Sequence, residues 1–104
     1  MPVRQFVPAR AAGHAQLVER LAEEWRSPDP AATEPVILEE KDRSGDVVHV
    51  YVVWSDWANM DRVHRGEVIM DAAERILPLD AVLKITIAMG LTPEEADRFG
   101  LKWR

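Results

Sequence analysis

The sequence predicts an α+β fold, a two-layer sandwich in which helices cover one face of a small three-stranded sheet in the order α-β-β-α-β-α. Three observations carry that expectation. Two β-branched runs flank a polar turn at Asp42–Asp46, which is the pattern of a hairpin. Apolar residues recur at helical spacing before it and after it, at 17–25 and again at 68–76. A Thr92-Pro93-Glu94-Glu95 segment then combines a capping hydroxyl, a proline suited to the first helical position and a glutamate three residues on, which together mark a helix start.

The elements follow in order. Residues 1–10 read as an arm with an extended piece at Val3–Val7 that ends at Pro8. From Ala11 to Arg26, Leu17, Val18, Leu21, Ala22 and Trp25 fall on one side of a helix, and Glu19, Arg20, Glu23 and Glu24 on the other. Ser27-Pro28-Asp29-Pro30 ends it, because each proline disfavours helical geometry in the residue before it and lacks a backbone donor. The strands Val36–Glu40 and Val47–Trp54 follow. Strict alternation in the second places Val48, Val50, Val52 and Trp54 toward the helices and Val47, His49, Tyr51 and Val53 on the outer face, which is only half polar.

A second helix is expected between Asp61 and Leu77, with Val68, Ile69, Ala72, Ala73 and Ile76 as its buried stripe and Pro78 as its stop. The β-branched content of Ala81–Ala88 predicts the third strand, with a short helix at Leu79–Leu83 as the competing possibility for its beginning. The last helix runs to Phe99, Gly100 closes it, and 101–104 form a tail.

Composition narrows the function. A chain of 104 residues, 47% hydrophobic and 30% charged, fits one domain, 1–104. The absence of cysteine excludes disulfides, thiolate metal sites and cysteine nucleophiles. Neither a signal-like apolar run nor a stretch of membrane-spanning length occurs, so the chain reads as cytoplasmic with no membrane partner. A net charge of −5 disfavours nucleic acid. The local balance agrees, since Arg62, Arg65 and Arg75 face four carboxylates between Asp61 and Arg75.

No catalytic, cofactor or metal-ligating set emerges. His14, His49 and His64 are not spaced as a ligand pair on one helical turn. The acidic pairs Glu23-Glu24 and Glu39-Glu40 read as solvated faces, and Glu94-Glu95 already has a capping role. The residue types that dominate binding hot spots instead gather at Trp57, Arg62, His64 and Arg65, with His49 and Tyr51 on the outer strand face. These six are the candidate partner-binding residues.

Two valines at 52–53, Trp57, Met60, Arg62, Arg65, Val68, Ile69 and Ala72, together with Thr92–Glu95, resemble the centre and the final helix start of BolA-like proteins. The resemblance implies a class II KH-like fold. It also marks two departures: Gly66 stands where the family usually has a histidine, and Leu83 where a cluster-binding histidine is expected. The glycine-rich loop with which KH domains clamp RNA is absent as well. The resulting expectation is a non-enzymatic interaction or regulatory module without a cofactor, binding a protein partner or a second copy as a homodimer. The alternatives are a KH-like binder of single-stranded RNA and, after it, a metal-binding protein or enzyme built on His49, His64 and nearby carboxylates.

Overall fold

A computed structural model describes residues 8–104, with side chains described from Gly13 onward; the extended piece expected at Val3–Val7 lies outside this range. The elements are α1 (Pro8–Arg26), β1 (Val36–Lys41), β2 (Val47–Val53), a 3-10 turn (Ser55–Trp57), α2 (Arg62–Ile76), α3 (Leu79–Val82), β3 (Ile87–Leu91) and α4 (Pro93–Phe99). Helix α1 begins at Pro8, so the last three residues assigned to the arm belong to its first turn, where proline is well tolerated.

The sheet has the order β1-β2-β3, with β1 antiparallel and β3 parallel to the central strand. A parallel neighbour needs a crossover, and α2 supplies it. Its start is set by Asp61, whose carboxylate accepts the His64 backbone N–H at 2.9 Å. Val68, Ile69 and Ala72 of α2 then pack with Val18, Leu21 and Ala22 of α1 against Val50, Val52 and Trp54. Burying a side chain such as Leu21 or Ile69 stabilises the fold by roughly 2 kcal/mol each. At the rim of this layer His14 Nε2 meets Asp71 Oδ2 at 2.7 Å, and Arg75 pairs with Glu19.

The hairpin turn is organised by Asp42, whose Oδ1 accepts the backbone N–H groups of Ser44 (2.9 Å) and Asp46 (3.1 Å). Beside it the ladder shifts by one: Glu40 faces His49, but Lys41 faces Val47, leaving Val48 as an extra residue. This bulge corrects the strict alternation expected for β2. Val47 packs against the helix-side core, because an inserted residue reverses the facing of everything on its turn side.

A second correction concerns the third strand, which occupies Ile87–Leu91 rather than Ala81–Ala88. Pro78 caps the short α3, and its turn is carried on by hydrogen bonds from Leu83 to Leu79, Lys84 to Ala81 and Ile85 to Val82. Val82 is buried and Ile85 packs on the helix-side core, so these β-branched residues serve packing from a helical turn. The chain joins the sheet only where Thr86 donates its N–H to Val48 O at 2.8 Å.

The final helix starts as the sequence predicts, with the reciprocal Thr92–Glu95 box complete and Pro93 in its first turn. Gly100 closes it at a φ of +82°, a conformation that suits glycine. While α1 and α2 cover one face of the sheet, Ala96 of α4 packs on Val53 and Leu91 of the other, joined by Val36, Met89, Leu101 and Trp103.

Candidate partner-binding surface

The six candidate residues separate into two places with opposite character. The first is the junction of β2 and α2. Trp57 is fully buried there: its indole N–H donates to Val52 O at 3.0 Å, and its ring meets that of Trp54 edge-on at 5.1 Å. Gly90 of β3 lies directly beneath, where an added Cβ would sit 2.8 Å from Trp57 Cε2 and 2.9 Å from Arg65 Cβ.

Arg65 is 5% exposed, and its donors are directed inward. Nε donates to Met60 O at 2.8 Å, and Nη1 to Gly90 O at 3.1 Å and Glu95 Oε1 at 2.6 Å. Leu91 O accepts from Trp54 N, so it faces β2, and the preceding carbonyl of Gly90 faces away from it. Arg65 therefore closes part of the open edge of β3 while it ties that strand to α2 and α4. The same Glu95 oxygen accepts the Thr92 N–H at 2.9 Å. That bond, with the Arg65 hydrogen bond and charge, holds the Glu95 carboxyl below its ordinary range against the opposing effect of burial. Arg62 and His64 stay at the surface on the first turn of α2, where His64 Nδ1 meets its own helix's Asp61 at 3.0 Å.

The second place is the outer sheet face, whose register forms a grid of three rows. Val36, Val53 and Leu91 make the row under α4 and the tail; Leu38, Tyr51 and Met89 make the middle row; Glu40, His49 and Ile87 make the third. The covered row is the most buried, the middle row is half-buried, and the third is the most open. His49 Nδ1 pairs with Glu40, and its ring meets Tyr51 edge-on at 6.3 Å. Tyr51 in turn lies 6.3 Å from the ring of Phe99, which is 56% exposed at the end of α4. This is a mostly apolar surface carrying one acid–base pair.

Structure thus brings His49 and Tyr51 together and sets them apart from Trp57, Arg62, His64 and Arg65. It adds Leu38, Ile87, Met89 and Phe99, which sequence reasoning did not single out. A signal for Leu38 existed, since the hairpin alternation places it beside Tyr51; Ile87 lay inside the expected third strand but without a register to place it, and Met89 lay beyond that strand's expected end. Elsewhere, a shallow groove of about 590 Å³ lies between α1 and the 3-10 turn, lined by Leu17, Arg20, Trp54, Asp56 and Asn59 among others. Its polar wall is partly engaged, with Arg20 on Glu34 O at 3.3 Å and the Ser55 hydroxyl on the Glu34 carboxylate at 3.0 Å. Among the described residues no group of three or more histidine, aspartate or glutamate side chains is arranged to hold a metal ion, and no helix is long and apolar enough to cross a membrane. Compared with models of protein families, with curated proteins and with solved structures, the chain has no significant match.

Proposed function

We propose that the protein is a small non-enzymatic interaction module of BolA-like architecture, acting in the cytoplasm through the outer face of its sheet. The observation that carries this reading is the open part of the grid: Leu38, Tyr51, Met89, Ile87 and Phe99 remain accessible around the single pair Glu40–His49. Aromatic residues and methionine with few charges are the composition of an interface core rather than of an ordinary solvated face. The element order, with a helix start at Thr92–Glu95, is the order that the resemblance implies and adds support.

The test is capture by the immobilised chain beside a Tyr51→Glu variant, with bound protein and bound RNA measured in the same eluate. The reading expects a defined protein, or the chain itself, to be retained by the wild type and lost from the variant. RNA retained with a steep salt dependence would replace it with the KH-like alternative. Equal retention by both chains would move the binding site off this face.

A further inference from the structure

Resting on the reading of the outer face as an interaction surface, we infer that its occupant is a second copy of this chain, seated face to face about a two-fold axis. Helix α4 and the tail together lie over the row Val36, Val53 and Leu91 and form a step at one end of the face, while the rows containing Tyr51 and His49 form a recess at the other. A two-fold axis lying between two facing sheets, perpendicular to their strands, exchanges these two ends. The step of each copy then enters the recess of the other. Such an interface is self-complementary and closes at two chains, as isologous contacts do.

Charge fits the same arrangement. Ala96 points at the sheet, and Arg98, two positions on, projects from roughly the opposite side of α4 because each residue advances about 100° around a helix. Arg98 is exposed and has no acidic partner within ion-pair distance among the described residues. The recess that would receive it carries Glu40, one of whose carboxylate oxygens is engaged by His49. Each dimer therefore forms the Arg98–Glu40 contact twice, once in each direction. Phe99, half in solvent within one chain, comes to lie between its own Tyr51 and the open part of its partner's sheet.

The arrangement makes a demanding prediction for sedimentation velocity across a concentration series. The wild type should shift from 11.8 kDa toward twice that mass. Arg98→Glu and Glu40→Arg should each raise the dimer dissociation constant by about tenfold or more, because each places two unfavourable like-charge contacts in the dimer. Mixing the two variants should restore the dimer, since a heterodimer of one Arg98→Glu chain and one Glu40→Arg chain makes both contacts with opposite charges. Far-ultraviolet circular dichroism on each variant separates loss of association from loss of folding. A dimer unaffected by either substitution, or variants that stay apart when mixed, would overturn this pairing. A wild type that remains at 11.8 kDa to the highest soluble concentration also overturns it. The broader reading then stands only if Tyr51→Glu abolishes capture of a different protein, and falls if it does not.

Discussion

The β2–α2 junction and the outer sheet face contain the same kinds of residue, aromatic rings beside cationic or titratable side chains, and use them in opposite ways. At the junction the two buried donors are turned inward: the Trp57 indole reaches Val52, and the Arg65 guanidinium reaches Met60, Gly90 and Glu95. On the outer face Tyr51 and Phe99 keep part of their rings in solvent. What separates them is which backbone carbonyls lie within reach. The open carbonyl of Gly90 and the end of the chain turn at Met60 supply Arg65 with acceptors, whereas the middle of a sheet offers its outer side chains none, because its carbonyls are directed along the ladder. Residue type proposes a binding site, and the availability of unpaired backbone decides whether the site is spent on the fold.

The sharpest way to break this contrast is Arg65→Ala. Removing one partner from a buried, hydrogen-bonded charge pair costs on the order of 3–5 kcal/mol, so urea unfolding should show a large fall in midpoint. Arg65→Lys should recover little of it, since a single ammonium cannot span acceptors that lie in three directions. Next in size is Gly90→Ala. Its new Cβ would press on Trp57 and Arg65, and overpacking of this kind costs about 1–3 kcal/mol; an unchanged thermal midpoint would show that the junction has slack.

The acid limb of stability tests the same lock by another route. The folded-state carboxyl of Glu95 lies below its ordinary value of 4.5, so its contribution is complete above that pH and is lost as the pH falls through the folded value. Glu95→Gln should flatten this part of the pH profile. Thr92→Ala, which removes the reciprocal cap, should cost about 1 kcal/mol. Smallest in stability is Tyr51→Glu, expected to cost less than about 1 kcal/mol, the scale of the side-chain contacts it loses on the half-buried middle row. Its effect belongs to association, and a large loss of stability would place Tyr51 with the junction residues instead.

Much of the architecture was legible because it rests on local chemistry. The stripe of Val18, Leu21 and Ala22, the Asp42–Asp46 turn and the Thr92–Glu95 box each combine spacing with a named hydrogen bond or buried side chain. The start of the third strand was not, since β-branched Val82 and Ile85 suit a strand and a buried helical turn alike until Pro78 and the sheet edge decide between them. The candidate site was legible by half. His49 and Tyr51 follow from alternation alone, but the burial of Arg65 depends on β3, twenty-five residues away at Gly90, and on Glu95 beyond it. An arginine on the first turns of a helix carries no mark of such distant acceptors. The nearest hint lay in Gly66 and Gly90, small residues where α2 and β3 approach: a Cβ at Gly66 would stand 3.2 Å from Ala88 O.

The bulge at Val48 has a consequence for how this hairpin tolerates changes of length. Between Lys41 and His49 the ladder counts one residue more on β2 than on β1, so parity rather than identity fixes which side chains meet the helices. Deleting Val48 would restore even counting and put the same Lys41–Val47 pair in step with Glu40–His49, leaving the Asp42 turn untouched. A deletion at Val50 or Val52 can draw on the same spare residue only by turning the side chains between it and Val48 to the opposite face, which carries His49 into the core. The strand can therefore lose a residue at one point along its length and keep all of its faces, a built-in margin for deletion beside the turn.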